Sequence, residues 1–78
     1  RLATTRKALE QMLETLDQRE REILRRRFGL DNRGQTQTLE QVGRRLGVSK
    51  ERVRQLEARA INRLRGTFAD ELEALLGA

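Results

Sequence analysis

Lys50, Glu51, Arg54 and Gln55 are spaced so that a helix would carry them on one outward face. Those side chains suit the edges of bases in a DNA major groove. Lys or Arg donates to guanine O6 and N7, Gln serves adenine bidentately, and Glu accepts from cytosine N4. Arg52, Arg59 and Arg63 add charge for phosphates. Little else in the chain competes as chemistry. With no His, no Cys and a single serine, Ser49, it has no Cys/His zinc site, thiol nucleophile, Ser-His-Asp relay or disulfide framework. A side chain titrating near pH 7, the natural general base, is also missing. Binding rather than catalysis is expected, with no cofactor and no metal.

A helix-turn-helix is the element that presents such a face, because it crosses two helices steeply over a turn of three or four residues. Thr38 with Gln41 forms a capping box, and Leu39, Val42 and Leu46 give a short apolar face that Gly47 ends. Ser49 is a good N-cap for a second helix over about 50–65, where Val53, Leu56, Ala60 and Leu64 recur at helical spacing and Ile61 widens the stripe. Gly43 stands inside the first of these helices, where glycine costs about 1 kcal/mol relative to alanine, so a close packing contact is expected there. Gly66 is expected to close the second helix.

Supporting helices flank the unit on both sides. Leu9, Met12, Leu13 and Leu16 form one face of a helix over about 4–15. Asp17 with Glu20 caps a second helix carrying Ile23, Leu24 and Phe28, with Gly29 placed to end it in a left-handed conformation. Residues 31–37 read as a loop, and Phe68, Leu72, Leu75 and Leu76 mark a final helix over about 67–76. The expected fold is all-α: a small four- to five-helix bundle containing a helix-turn-helix, in one domain over 1–78.

Seventy-eight residues bury only about 60% of the unfolded chain's surface, and 36% hydrophobic residues with a mean hydropathy of −0.79 lie close to disordered compositions. Periodicity is therefore the evidence that the chain folds. No apolar run approaches the roughly 20 residues of a membrane span and no secretory signal pattern is present, so a cytoplasmic protein without membrane contact is expected. The first residue is Arg1 rather than Met, which fits a piece of a longer chain. The net charge of +5 divides into +3 over residues 1–38, +5 over 39–65 and −3 over 66–78, concentrating positive potential on the helix-turn-helix. A basic helix face can also serve solubility alone, but the glycine, the caps and the apolar spacing favour recognition. The aromatic residues are only Phe28 and Phe68, both at core-type positions, so base stacking on single strands is disfavoured and duplex DNA is the expected partner.

The run LDQREREILRRRFGLDNRGQTQTLEQVGRRLGVSKERVRQLEARAINRLR, residues 16–65, resembles region 4 of the bacterial primary-type sigma factors, the RNA polymerase subunits that recognise the promoter −35 element. The blocks R-F-G-L-D, T-L-E-x-V-G and V-S-K-E-R-V-R-Q-L-E-A-R-A-I-x-R-L-R stand in the family's order. The resemblance implies base reading by Lys50, Glu51 and Gln55. It implies DNA backbone contact at Arg19, Arg27, Thr38, Leu39, Glu40 and Arg54, alongside the phosphate-facing Arg52. It further implies an activator surface at Arg59, Arg63 and Arg65, and a cleft for the flap-tip helix of the polymerase β subunit lined by Phe28, Leu30, Val42, Ile61 and Leu64.

Three departures accompany it. Lys50 stands where the family usually carries Arg, replacing a planar fork by a point charge. Asn62 replaces a usually basic residue, and the acidic stretch 66–78 lacks the family's H-P-S-R-like segment, so an alternative sigma factor fits as well as a housekeeping one. A free-standing helix-turn-helix regulator is the competing reading, although such domains generally lack the R-F-G-L-D block. The apolar face of the final helix is either a cap on the core or a surface for a transcription activator or anti-sigma factor.

Overall fold

The computed structural model describes residues 2–30 and 34–76, with the side chains of 2–6, 71, 72, 75 and 76 left aside. Its elements are α1 (Leu2–Leu13), α2 (Gln18–Phe28), α3 (Leu39–Leu46), α4 (Lys50–Thr67) and α5 (Ala69–Leu76), with no strand among the described residues. Each internal boundary has a local cause. Asp17 accepts from the Glu20 amide at 2.8 Å while Glu20 reaches back to the Asp17 amide at 3.4 Å, so α2 starts on a reciprocal capping box. The Thr38–Gln41 pair does the same for α3, at 3.1 and 2.9 Å. Ser49 starts α4 by accepting from the Arg52 amide at 3.0 Å. Gly29 and Gly47, with φ of 72° and 75°, end α2 and α3 in the left-handed conformation.

Two apolar clusters hold these helices, and α2 and α4 contribute to both. Met12, Leu13, Leu16, Leu24, Ala60 and Leu64 form one, with Leu9, Leu30, Ile61 and Phe68 packed against it. Ile23, Val42, Val53 and Leu56 form the other beneath the helix-turn-helix, flanked by Leu39, Leu46 and Val48. Burying a Leu or Ile side chain contributes about 1.5–3 kcal/mol, so the adjacent pair Ile23 and Leu24 ties α2 to each cluster in turn.

The steep crossing of α3 and α4 depends on Gly43. A Cβ at that position would stand 2.7 Å from the Val48 carbonyl oxygen, and the Val48 amide donates to the Gly43 carbonyl at 2.9 Å. Only a residue without a side chain lets the turn fold back this closely on α3.

Four boundaries or positions differ from the expectation. The first helix lies over Leu2–Leu13 rather than about 4–15, because after Leu13 the chain tightens: Leu16 donates to the Leu13 carbonyl at 3.0 Å and the Thr15 hydroxyl to the Met12 carbonyl at 2.8 Å. Gly66 does not close α4. Helical bonding continues through it to Phe68, whose amide donates to Leu64 at 2.6 Å, and Phe68 packs half-buried on the first cluster. The final helix accordingly starts at Ala69, not 67. Phe28, expected in the core, is 37% exposed: it is the last residue of α2, and the chain reverses at Gly29 before either cluster can cover the ring. The expected apolar face at Leu72, Leu75 and Leu76, and residues 31–33 of the loop, lie outside the described residues.

Gly43→Ala is expected to lower stability by about 1–3 kcal/mol, since the clash is with backbone and outweighs the helix propensity gained. Gly66→Ala, inside α4 with nothing within 4 Å of the new methyl, is expected to raise stability by about 0.5–1 kcal/mol. Thermal unfolding of the two variants checks both signs; a stabilising Gly43→Ala contradicts the close-approach account.

Candidate nucleic-acid interface

Val53, Leu56, Ala60 and Leu64 turn inward from α4, which leaves Lys50, Glu51, Arg52, Arg54 and Gln55 exposed on its first two turns. These are the residues expected to read bases or meet phosphates, and the structure brings them together on one end of one helix. They are partly ordered among themselves. Arg54 forks onto Glu51, Nε to Oε1 at 3.0 Å and Nη2 to Oε2 at 2.6 Å, and Arg52 donates to Gln55 Oε1 at 3.4 Å. Hydrogen bonds from Arg54 hold the Glu51 carboxyl below the usual carboxylate range, with the Arg54 charge acting in the same sense. The same bonds raise Arg54 above its ordinary value. Lys50 makes no ion pair or hydrogen bond with a described residue, so its ammonium is free for an acceptor.

The start of α3 offers a different chemistry. Its capping box satisfies the Gln41 amide and leaves the Leu39 and Glu40 N–H groups without an acceptor among the described residues, beside the exposed Thr38. Free amides at a helix start suit an anion. Arg19 is exposed near the start of α2, in a shallow hollow shared with Gln18, Glu22 and Leu46. Arg27 is set apart from these, because its guanidinium binds Glu57 at 2.9 Å and the Gln37 carbonyl at 2.8 Å. It struts α2 against α4 and the loop.

Arg59 and Arg63, expected on an activator surface, converge on a carboxylate whose local role is to cap α2. Glu20 is 1% exposed; Arg63 Nη1 lies 2.8 Å from its Oε1 and Arg59 Nε 3.7 Å from its Oε2. Arg63 also lies 3.8 Å from Asp17. Glu20 Oε2 has no hydrogen-bond donor among the described residues. Arg65 is exposed and outside this cluster. The signal for Glu20 was present: it stands three and four residues before Ile23 and Leu24, on the buried side of α2, and faces basic residues spaced i, i+4 on α4.

The five residues expected to line an apolar cleft separate in the structure. Leu30 and Ile61 are half-buried against the first cluster and Leu64 is buried within it, whereas Val42 belongs to the second. Phe28 is the large apolar side chain of the set that solvent reaches. No described helix is long and apolar enough to cross a membrane, and no described group of carboxylates could hold a metal ion.

The sequence pattern of the family "Sigma-70, region 4" matches residues 12–66. The RNA polymerase sigma factors SigA of Listeria monocytogenes and Listeria innocua are each 58% identical over 57 residues, which cover 73% of this chain and 15% of the relative. SigA of a Bacillus species is 56% identical over the same share. The chain thus spans about 15% of the length of the curated relatives it matches.

Two outcomes follow. Glu20→Ala leaves Arg59 and Arg63 without their buried anion and removes half of a capping box; a loss of about 2 kcal/mol is expected in chemical denaturation. For Glu51 the lowered pKa means that its pairing persists above the usual carboxylate range and is lost only as pH falls through the lowered value. Arg54→Ala removes the main cause, so the Glu51 carboxyl should then titrate at higher pH. NMR titration of that carboxyl in the two proteins reads the difference, and identical curves contradict the pairing.

Proposed function

The chain belongs to the Sigma-70, region 4 family, and on that premise we propose that it recognises the promoter −35 element as duplex DNA, within an RNA polymerase holoenzyme. The family is one of DNA-binding domains, not enzymes. The observation that carries the reading is the first two turns of α4: Lys50, Glu51, Arg54 and Gln55 stand exposed together, capped by Ser49 and braced by the Gly43–Val48 contact.

In this reading α4 enters the major groove. Lys50 donates to guanine, Gln55 to and from adenine, and Glu51 accepts from a cytosine amine, its oxygens already oriented by Arg54. Arg52 and Arg54 reach the flanking phosphates. The free amides of Leu39 and Glu40, with Thr38, meet the backbone at the start of α3, and Arg19 meets it from α2. Arg27, committed to Glu57 and Gln37, acts on DNA chiefly by holding the loop before α3. Polymerase would be engaged elsewhere: exposed Phe28, together with the half-buried Leu30 and Ile61 at the edge of the first cluster, would be the apolar surface offered to the β flap-tip helix. Arg59, Arg63 and Arg65 would present the basic surface to a transcription activator.

The discriminating experiment compares duplexes carrying a −35 element with scrambled duplexes. Gln55→Ala is expected to reduce the preference by about 1–3 kcal/mol, roughly five- to 150-fold. Arg54→Ala should weaken both duplexes and lower the salt slope by about 1. Equal losses on both duplexes for Gln55→Ala count against base readout there. Phe28→Ala should weaken binding to a β flap-tip peptide and leave DNA affinity unchanged; a chain that binds no flap-tip peptide fits a free-standing regulator instead.

A further inference from the structure

The exposed face of α3 carries two guanidiniums that none of the contacts above uses. Arg44 and Arg45 are exposed and have no ion pair or hydrogen bond among the described residues, whereas Arg26, Arg27, Arg54, Arg59 and Arg63 each pair with a carboxylate. They line an open groove with Gln35, Thr36 and Gln37 of the preceding loop and Gln41 of α3. Every one of these side chains can donate a hydrogen bond, Thr and Gln can also accept one, and none is acidic, a lining that suits an anion.

Its position matters as much as its charge. At one end Gln41 belongs to the capping box that leaves the Leu39 and Glu40 amides free. At the other, Arg45 adjoins Leu46, which shares a hollow with Arg19. An eight-residue helix is about 12 Å long at 1.5 Å per residue. A DNA backbone following a helix of that length would bring more than one phosphate within reach of it, with the amide site at one end of α3 and Arg45 near the other. Basic residues in a last helical turn also complement the helix dipole, but that effect needs neither two unpaired arginines nor a polar groove beside them.

We propose that Arg44 and Arg45 form a phosphate-binding track along α3, joining the amide site at its start to Arg19 and extending the contact with duplex DNA beyond the recognition helix. The track rests on the reading of α4 as a major-groove helix, which sets DNA beside α3. It contributes affinity on any duplex and no base preference.

The test is a salt titration of binding, by fluorescence anisotropy, for the 78-residue chain and its Arg44→Gln/Arg45→Gln variant on −35 and scrambled duplexes of equal length. The variant should show a slope of log K against log salt shallower by about 2 and roughly tenfold weaker binding at low salt, equally on both duplexes. Arg44→Lys/Arg45→Lys should restore the slope. Lys7→Gln, an exposed charge on α1, reports the effect of lost net charge alone and should leave the slope nearly unchanged. A double variant whose slope matches wild type or Lys7→Gln overturns the track, even if Gln55→Ala still loses its preference for −35 DNA. A wild-type chain without that preference, whose slope nevertheless falls in the double variant, sinks the base-reading proposal and supports the track. Circular dichroism of the exposed-site variants confirms that the comparison is between folded proteins.

Discussion

A backbone contact, between Gly43 and the carbonyl of Val48, sets the geometry on which the outward face of α4 depends. A methyl group there would meet the carbonyl oxygen at 2.7 Å, so the turn is as tight as a helix and its successor allow. The contact positions Ser49 to cap α4 and aims the first turn of α4 away from the second apolar cluster. Val42, Val53 and Leu56 then fill the space inside the crossing. Were the turn looser, these three residues would not close on Ile23, and the outward face at 50–55 would lose its fixed direction relative to α3.

Beyond the turn, α4 has to be held along its length, and two devices do so. Apolar packing handles the inner face, where Ala60 and Leu64 join Leu13 and Leu24. The outer edge is held by charge: Arg27 reaches Glu57, and Arg63 with Arg59 closes over Glu20. A buried carboxylate is a costly choice, since desolvating it is offset only by well-placed cations and hydrogen bonds. Here it does two jobs, completing the cap of α2 and fixing where the basic side chains of α4 stand. A leucine at position 20 would pack, but it would leave those arginines unconstrained.

Much of this is legible in the sequence itself. Caps at Asp17, Thr38 and Ser49, the reversals at Gly29 and Gly47, and the inward stripe of α4 all follow from interactions within four residues, which sequence records directly. Local spacing is a poorer guide where distant parts of the chain decide. Gly66 has the look of a helix stop, yet Phe68 docks on a cluster built from α1, α2 and α4 and the helix runs past it. Phe28 has the spacing of a core residue and Gly29 marks the end of its helix, but whether either cluster covers the ring depends on how distant helices pack, which local spacing does not record. The exposure of residues 50–55 other than Val53 is legible locally, because it is the complement of the inward stripe. The burial of Glu20 is not, because its partners Arg59 and Arg63 lie about forty residues away.

Pairing also resolves what net charge alone conceals. The chain carries 17 basic side chains, and a count treats them as equivalent. Arg26, Arg27, Arg59 and Arg63 are bound to carboxylates on α2 or α4, and an incoming phosphate would have to compete with those bonds. Lys50, Arg19, Arg44 and Arg45 face no such competition among the described residues, and they lie at the start of α4, the start of α2 and the exposed side of α3. Arg54 is intermediate, since its partner Glu51 is itself a base-reading candidate and the exposed pair is weak enough to rearrange. Counterion release scales with the phosphates actually neutralised, not with formal charge. Affinity for DNA should therefore follow the free cations around α3 and the first turn of α4, while the paired arginines keep the helices that carry them in place.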